Sequence, residues 1–97
     1  MIERIVLVKL SEAAVSDRQA IADQSRRVLE RIPGVRSVRV ARPADEPTAA
    51  NCDLALVLRF DTLDEVEAYR IHPDHRAYVD EYLKPRMEAI TAWNFVV

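Results

Sequence analysis

Glycine is almost absent: Gly34 is the only one in 97 residues. A phosphate-cradling loop needs several glycines so that backbone N–H groups converge on the anion, and none can be built here. Nucleotide-binding signatures are excluded with it. Cysteine is as scarce. Cys52 stands alone, so no internal disulfide forms, which fits a reducing compartment. A reactive thiol needs a basic neighbourhood that the sequence does not show, and Cys52 reads as a small apolar filler. An excess of one charge is missing too. Fourteen basic and 16 acidic side chains leave a net −2, which gives no footprint for nucleic acid or for an anionic membrane. Long hydrophobic runs are also lacking. The opening MIERIVLVKLSE is interrupted by Glu3, Arg4 and Lys9 and is too short for a signal-peptide core or a bilayer span. The expected location is cytoplasmic.

What remains is an ordinary globular composition, 49% apolar and 31% charged, of a length that suits one domain over residues 1–97. The β-branched run at 2–10 predicts a first strand. Ser16 and Gln19 have capping-box spacing, and Ile21, Ser25, Val28, Leu29 and Ile32 then recur on one face, predicting a helix over about 17–31. Pro33-Gly34 stops it. VRSVRVAR at 35–42 predicts a second strand, PADEPTAANC at 43–52 a loop, and DLALVLRF at 53–60 a third strand. Thr62 opens a second capping box, T-L-D-E, ahead of a helix over 63–71 with Leu63, Val66 and Tyr69 apolar. Pro73 disfavours helical geometry at His72 and suits the first position of a new helix. That helix is expected over about 73–90, with Val79, Tyr82, Leu83, Met87 and Ile90 as its buried stripe, and AWNFVV at 92–97 predicts a fourth strand.

The order β-α-β-β-α-β, with the second helix broken, predicts an α+β ferredoxin-like fold: a four-stranded antiparallel sheet with its helices on one face. The opposite sheet face is not cleanly polar. Ile5 and Leu7 on strand one, Ala55 and Val57 on strand three, and aromatic Trp93 and Phe95 on strand four leave apolar surface that a lone domain cannot cover. A homodimer packing sheet against sheet is therefore expected; in the competing reading, Lys9, Arg59 and the strand-two arginines solvate that face.

The chemistry-bearing stretch is YRIHPDHRAY, residues 69–78, which holds the chain's only two histidines. His72 before Pro73 reads as a helix cap on free backbone N–H groups. The H-x-x-H spacing admits a metal, yet two ligands are not a site and no second Cys/His pair exists, so neither metal nor cofactor is expected.

The segment FDTLDEVEAYRIHPDHRAYV resembles the signature of the stress-responsive A/B barrel (Dabb) family, and IERIVLVKL, IPGV and WNFVV also fit. The resemblance spans essentially the whole chain. It implies a ferredoxin-like unit paired into a dimeric α/β barrel. It also implies, through olivetolic acid cyclase-type polyketide cyclases, an intramolecular aldol condensation in which Tyr69 and His75 occupy the catalytic positions. The residue types suit that chemistry. Removing a proton beside a carbonyl needs a base that titrates near neutrality, and the developing enolate oxygen needs a donor. His75, in the first turn of its helix, is expected to stay neutral. A pocket between sheet and helices is expected, with Arg4, Val6, Val8, Leu56, His72 and Tyr78 as its substrate-binding residues. Ile21, Ala22 and Ser25 stand where the cyclase has bulky aromatics, and Arg4 replaces a polar residue; both changes put the plant substrate in doubt. Arg4 can bind a carboxylate or thioester oxygen, or simply pair with Glu3 or another acid. Three functions follow: a dimeric cyclase or lyase on a polyketide-like carbonyl compound, a non-catalytic small-molecule binder, or a stress-associated structural dimer.

Overall fold

Residues 1–97 are described by a computed structural model. Four strands, β1 (Ile2–Leu10), β2 (Ser37–Ala41), β3 (Leu54–Phe60) and β4 (Met87–Val96), form one sheet in the order β2-β3-β1-β4, every neighbouring pair antiparallel. The helices are α1 (Arg18–Leu29), a single turn α2 (Glu46–Ala49), α3 (Leu63–Ile71) and α4 (Pro73–Ala77).

Strand alternation sends one set of side chains to the helices. Val8, Leu54, Leu58 and Phe60 on the two inner strands are fully enclosed, packed with Ile21 and Leu29 of α1 and Val66 and Tyr69 of α3. Each such side chain stabilises the fold by about 2 kcal/mol relative to exposure. The expected fold class is the observed one. Gly34, with φ +91°, supplies the left-handed turn between α1 and β2 that a residue with a Cβ adopts only under strain.

Several local expectations change. Ser16 caps nothing: a 3-10 turn over Glu12–Asp17 runs directly into α1, and Gln19 instead donates to the Asp23 carboxylate, 3.0 Å away. The 43–52 loop contains α2, whose first turn Asp45 caps by accepting from the Thr48 N–H. Leu63 is exposed rather than packed. Thr62, by contrast, does cap α3, accepting from the Glu65 N–H.

The largest correction concerns the helix expected over 73–90. α4 ends at Ala77, continues as a π-helical turn over Tyr78–Leu83 and a 3-10 turn over Lys84–Arg86, and the chain is β4 from Met87 onward. Pro85 is the reason: it has no N–H to continue the helix, and its ring conflicts with the carbonyl four residues back. Met87 and Ile90 are thus strand residues, and β4 pairs along the whole of β1.

Candidate functional site

A cavity of about 320 Å³ lies between the sheet and the broken helix, at the small end of ligand sites. Arg4 and Val6 of β1, Leu56 of β3, and Ile90 and Ala92 of β4 face it from the sheet. Tyr69, Arg70, His75, Tyr78, Val79 and Leu83 face it from the helical side.

The break at His72–Pro73 arranges the polar groups. His72 has extended backbone, with φ −61° and ψ 136°. Its ring turns back onto α4, where Nδ1 accepts from the Asp74 N–H at 3.1 Å. His72 is therefore a cap and does not line the cavity. The chain then brings His75 back over the end of α3. His75 Nδ1 lies 3.0 Å from the carbonyl oxygen of Arg70. A carbonyl only accepts, so Nδ1 carries the proton and Nε2 is left with its lone pair. The ring also packs on Tyr69, centroids 4.3 Å apart and planes 47° apart. Burial pushes the His75 imidazole below its ordinary value; the Arg70 carbonyl opposes that shift, and the charges of Arg4, Arg70 and Arg76 add to it.

Tyr69 is held from behind by an edge-on contact with Phe60, 5.1 Å between centroids. Burial raises its hydroxyl well above the ordinary phenol value, against the pull of the Arg4 charge. It is a donor at neutral pH. Tyr78 is pushed up to about 12 by burial, with its bond to Ser25 acting the other way. Its hydroxyl donates to Ser25 Oγ at 2.7 Å, tying the π-helical turn after α4 to α1 beside the cavity. Arg4 donates through Nη1 to Asn94 Oδ1 at 3.0 Å, directly across the β1–β4 ladder. Burial lowers its pKa, opposed by Tyr69.

Of the residues singled out from the sequence, Arg4, Val6, Leu56, Tyr69, His75 and Tyr78 meet around one cavity. His72 and Val8 do not. Val8 is wholly enclosed in the core, where helices pack on the central strand pair. Sequence reasoning did not single out Asn94, the Arg70 carbonyl, or Ile90 and Ala92. Asn94 had a signal, being the one polar residue within AWNFVV. Ile90, expected on the buried stripe of a helix, required the correct start of β4, whereas Ala92 fell within the expected strand. No group of three or more histidine, cysteine or acidic side chains gathers anywhere as a metal site, and no helix is long and apolar enough to cross a membrane.

On the far face of the sheet, Leu7, Trp93 and Phe95 are exposed, Trp93 at 64% of its surface. The ladder sets Ile5 opposite Trp93, and Glu3, which is paired with Arg59, opposite Phe95.

This fold and cavity define an α+β protein of the ferredoxin-like class with a small, partly open site between its sheet and helices. The chain belongs to the stress responsive A/B barrel domain (Dabb) family, whose profile matches residues 2–97. A Dabb family protein with a ferredoxin-like fold from Mesorhizobium loti superposes with a TM-score of 0.84 at 22% identity, covering 99% of this chain and 95% of that one. A dimeric ferredoxin-like protein of unknown function from Thermobifida fusca gives 0.81 at 25% identity, covering 99% and 90%. A dimeric protein of unknown function from Bacteroides fragilis gives 0.79 at 24% identity, covering 99% and 95%. No curated protein matches.

Proposed function

We propose that this chain is a homodimeric enzyme that performs acid–base chemistry on a small carbonyl compound, a cyclase or lyase of the kind that closes a linear polyketide by an intramolecular aldol step. The observation that carries this reading is His75: one ring nitrogen is committed to the Arg70 carbonyl, and the other is unprotonated beside a cavity that the Tyr69 ring also lines.

The division of labour follows from the protonation states. His75 Nε2 takes a proton from the carbon next to a carbonyl. Tyr69 donates to the oxygen on which the enolate charge develops, and among the mostly apolar side chains of the lining this bond is worth more than in solution. The enolate carbon attacks a second carbonyl of the same molecule. The new carbon–carbon bond closes the ring, and the alkoxide formed takes back the proton held on His75. No net proton, electron or cofactor is consumed. The mostly apolar lining keeps a flexible chain folded on itself. Homodimerisation rests on the uncovered apolar sheet face and on the dimeric state of two structural neighbours.

The test uses linear 3,5-dioxo compounds, as free acids and as thioesters, in deuterated water. Wild type should accelerate exchange of the protons between the carbonyls and yield cyclised product. His75→Gln should do neither while melting as wild type does. Tight binding with no acceleration would make the protein a non-catalytic binder. Absence of both would leave a structural dimer.

A further inference from the structure

We propose that Arg4 makes the cavity selective for an anion, so that the ligand is a free oxo carboxylic acid rather than its thioester, ester or amide. This rests on the carbonyl-chemistry reading above and adds the substrate's charge to it.

The lining of the cavity contains two arginines and one histidine and not a single acidic side chain. Arg70 has its counter-charge elsewhere, donating to the Glu67 carboxylate at 2.9 Å. Arg4 has none. Its one hydrogen bond goes to the amide oxygen of Asn94, which orients the guanidinium without neutralising it. The acid adjacent in sequence, Glu3, projects to the opposite face of the sheet and holds Arg59 at 3.1 Å. The pairing of Arg4 with Glu3 that the sequence allowed therefore does not occur. A half-buried cation without an ion pair of its own is a costly arrangement. A ligand carboxylate reverses that cost.

A guanidinium has five N–H donors in a planar fork. Asn94 occupies one, from the neighbouring edge strand. The others suit a carboxylate, whose two oxygens accept in parallel. Leu56, Val79 and Leu83 give the remainder of the ligand an apolar bed. A thioester brings only a neutral carbonyl to the same spot and leaves the cation uncompensated.

Salicylate and salicylamide, nearly identical in shape and different in charge, are the probes. Their affinities are read by NMR titration of wild type, Arg4→Gln and Arg4→Lys, following the His75 ring and the cavity methyl groups. Circular dichroism checks that each variant is folded. Wild type should bind salicylate at least about tenfold more tightly than salicylamide, the worth of one charge-assisted hydrogen bond. Arg4→Gln should bind the two equally, and Arg4→Lys should keep part of the preference. Equal affinities in wild type, or a preference that survives Arg4→Gln, overturns the anion assignment while leaving the acid–base reading intact. Binding of neither probe overturns it as well, and the exchange assay with dioxo compounds then decides the acid–base reading separately.

Discussion

The His75 and Tyr69 rings lie 4.3 Å apart, centroid to centroid, across a helix break that a continuous helix could not bridge in this way. Six positions separate them in sequence, so on one straight helix they would point to widely different directions. His72 and Pro73 end one helix and begin another, and the second helix carries His75 back over the first.

Titration of His75 follows from that packing. Its folded pKa lies below the ordinary imidazole value of about 6.5 because burial disfavours the charged ring. The unfolded chain therefore binds the proton first as pH falls. The contribution of a neutral His75 to stability is complete above about 6.5 and is lost as pH drops toward the folded value. NMR titration of the ring should give a midpoint under 6.5 that moves when a cavity ligand is added. A normal midpoint that ignores ligand would reduce His75 to a helix-start residue.

Removing only the hydroxyl of Tyr69 should separate chemistry from packing. That oxygen makes no hydrogen bond within the chain, while the ring packs on Phe60 and His75. Tyr69→Phe should change stability by less than about 1 kcal/mol and lower turnover by roughly a hundredfold or more, as loss of an oxyanion donor does. Tyr69→Ala should cost about 3–5 kcal/mol through the cavity it leaves. Chemical denaturation of the two variants side by side checks this.

Asp53 anchors the far end of the sheet. It is fully buried, and its carboxylate accepts from the Leu10 N–H at 2.7 Å and from Arg18 at 2.6 Å, with Lys9 at 3.4 Å. Burial alone would raise its pKa; the bonds from Arg18 and Leu10 and the charge of Lys9 outweigh it and hold the carboxyl below the ordinary range. Stability from Asp53 is thus complete above the ordinary aspartate value, near pH 4, and is lost as pH falls through the depressed folded value. Asp53→Asn leaves two cations without their partner. Both remain partly solvated, which sets the cost near the low end for broken buried pairs, about 3 kcal/mol, or roughly 15 °C in melting temperature. Differential scanning calorimetry at neutral pH should find this loss, and it should shrink in acid.

The uncovered sheet face predicts the assembly. Trp93→Glu puts a charge at the centre of the patch formed with Ile5, Leu7 and Phe95. Sedimentation velocity should find wild type as a dimer and Trp93→Glu as a monomer with its helical layer intact. A monomeric wild type would mean that Lys9, Arg59 and Arg39 suffice to solvate that face.

Alternating β-branched and apolar residues on β1 and β3, the Thr62 cap and the Pro33-Gly34 stop act within a few residues of themselves. The amino-acid order alone therefore carried the strand–helix succession, the sheet with one helical layer and the apolar second face. The His72–Pro73 break was legible for the same reason. Where β4 begins was not: MEAIT suits helical spacing as well as a strand, and only pairing with the exposed edge of β1, after Pro85 has ended the helix, decides between them. The cavity was half legible. Tyr69, His75 and Arg4 stand out by residue type, but that Glu3 turns away to Arg59 and that Asn94 meets Arg4 depend on contacts between distant segments, which strand register alone creates, and that the Arg70 carbonyl fixes the His75 tautomer depends on the angle at which the second helix folds back over the first.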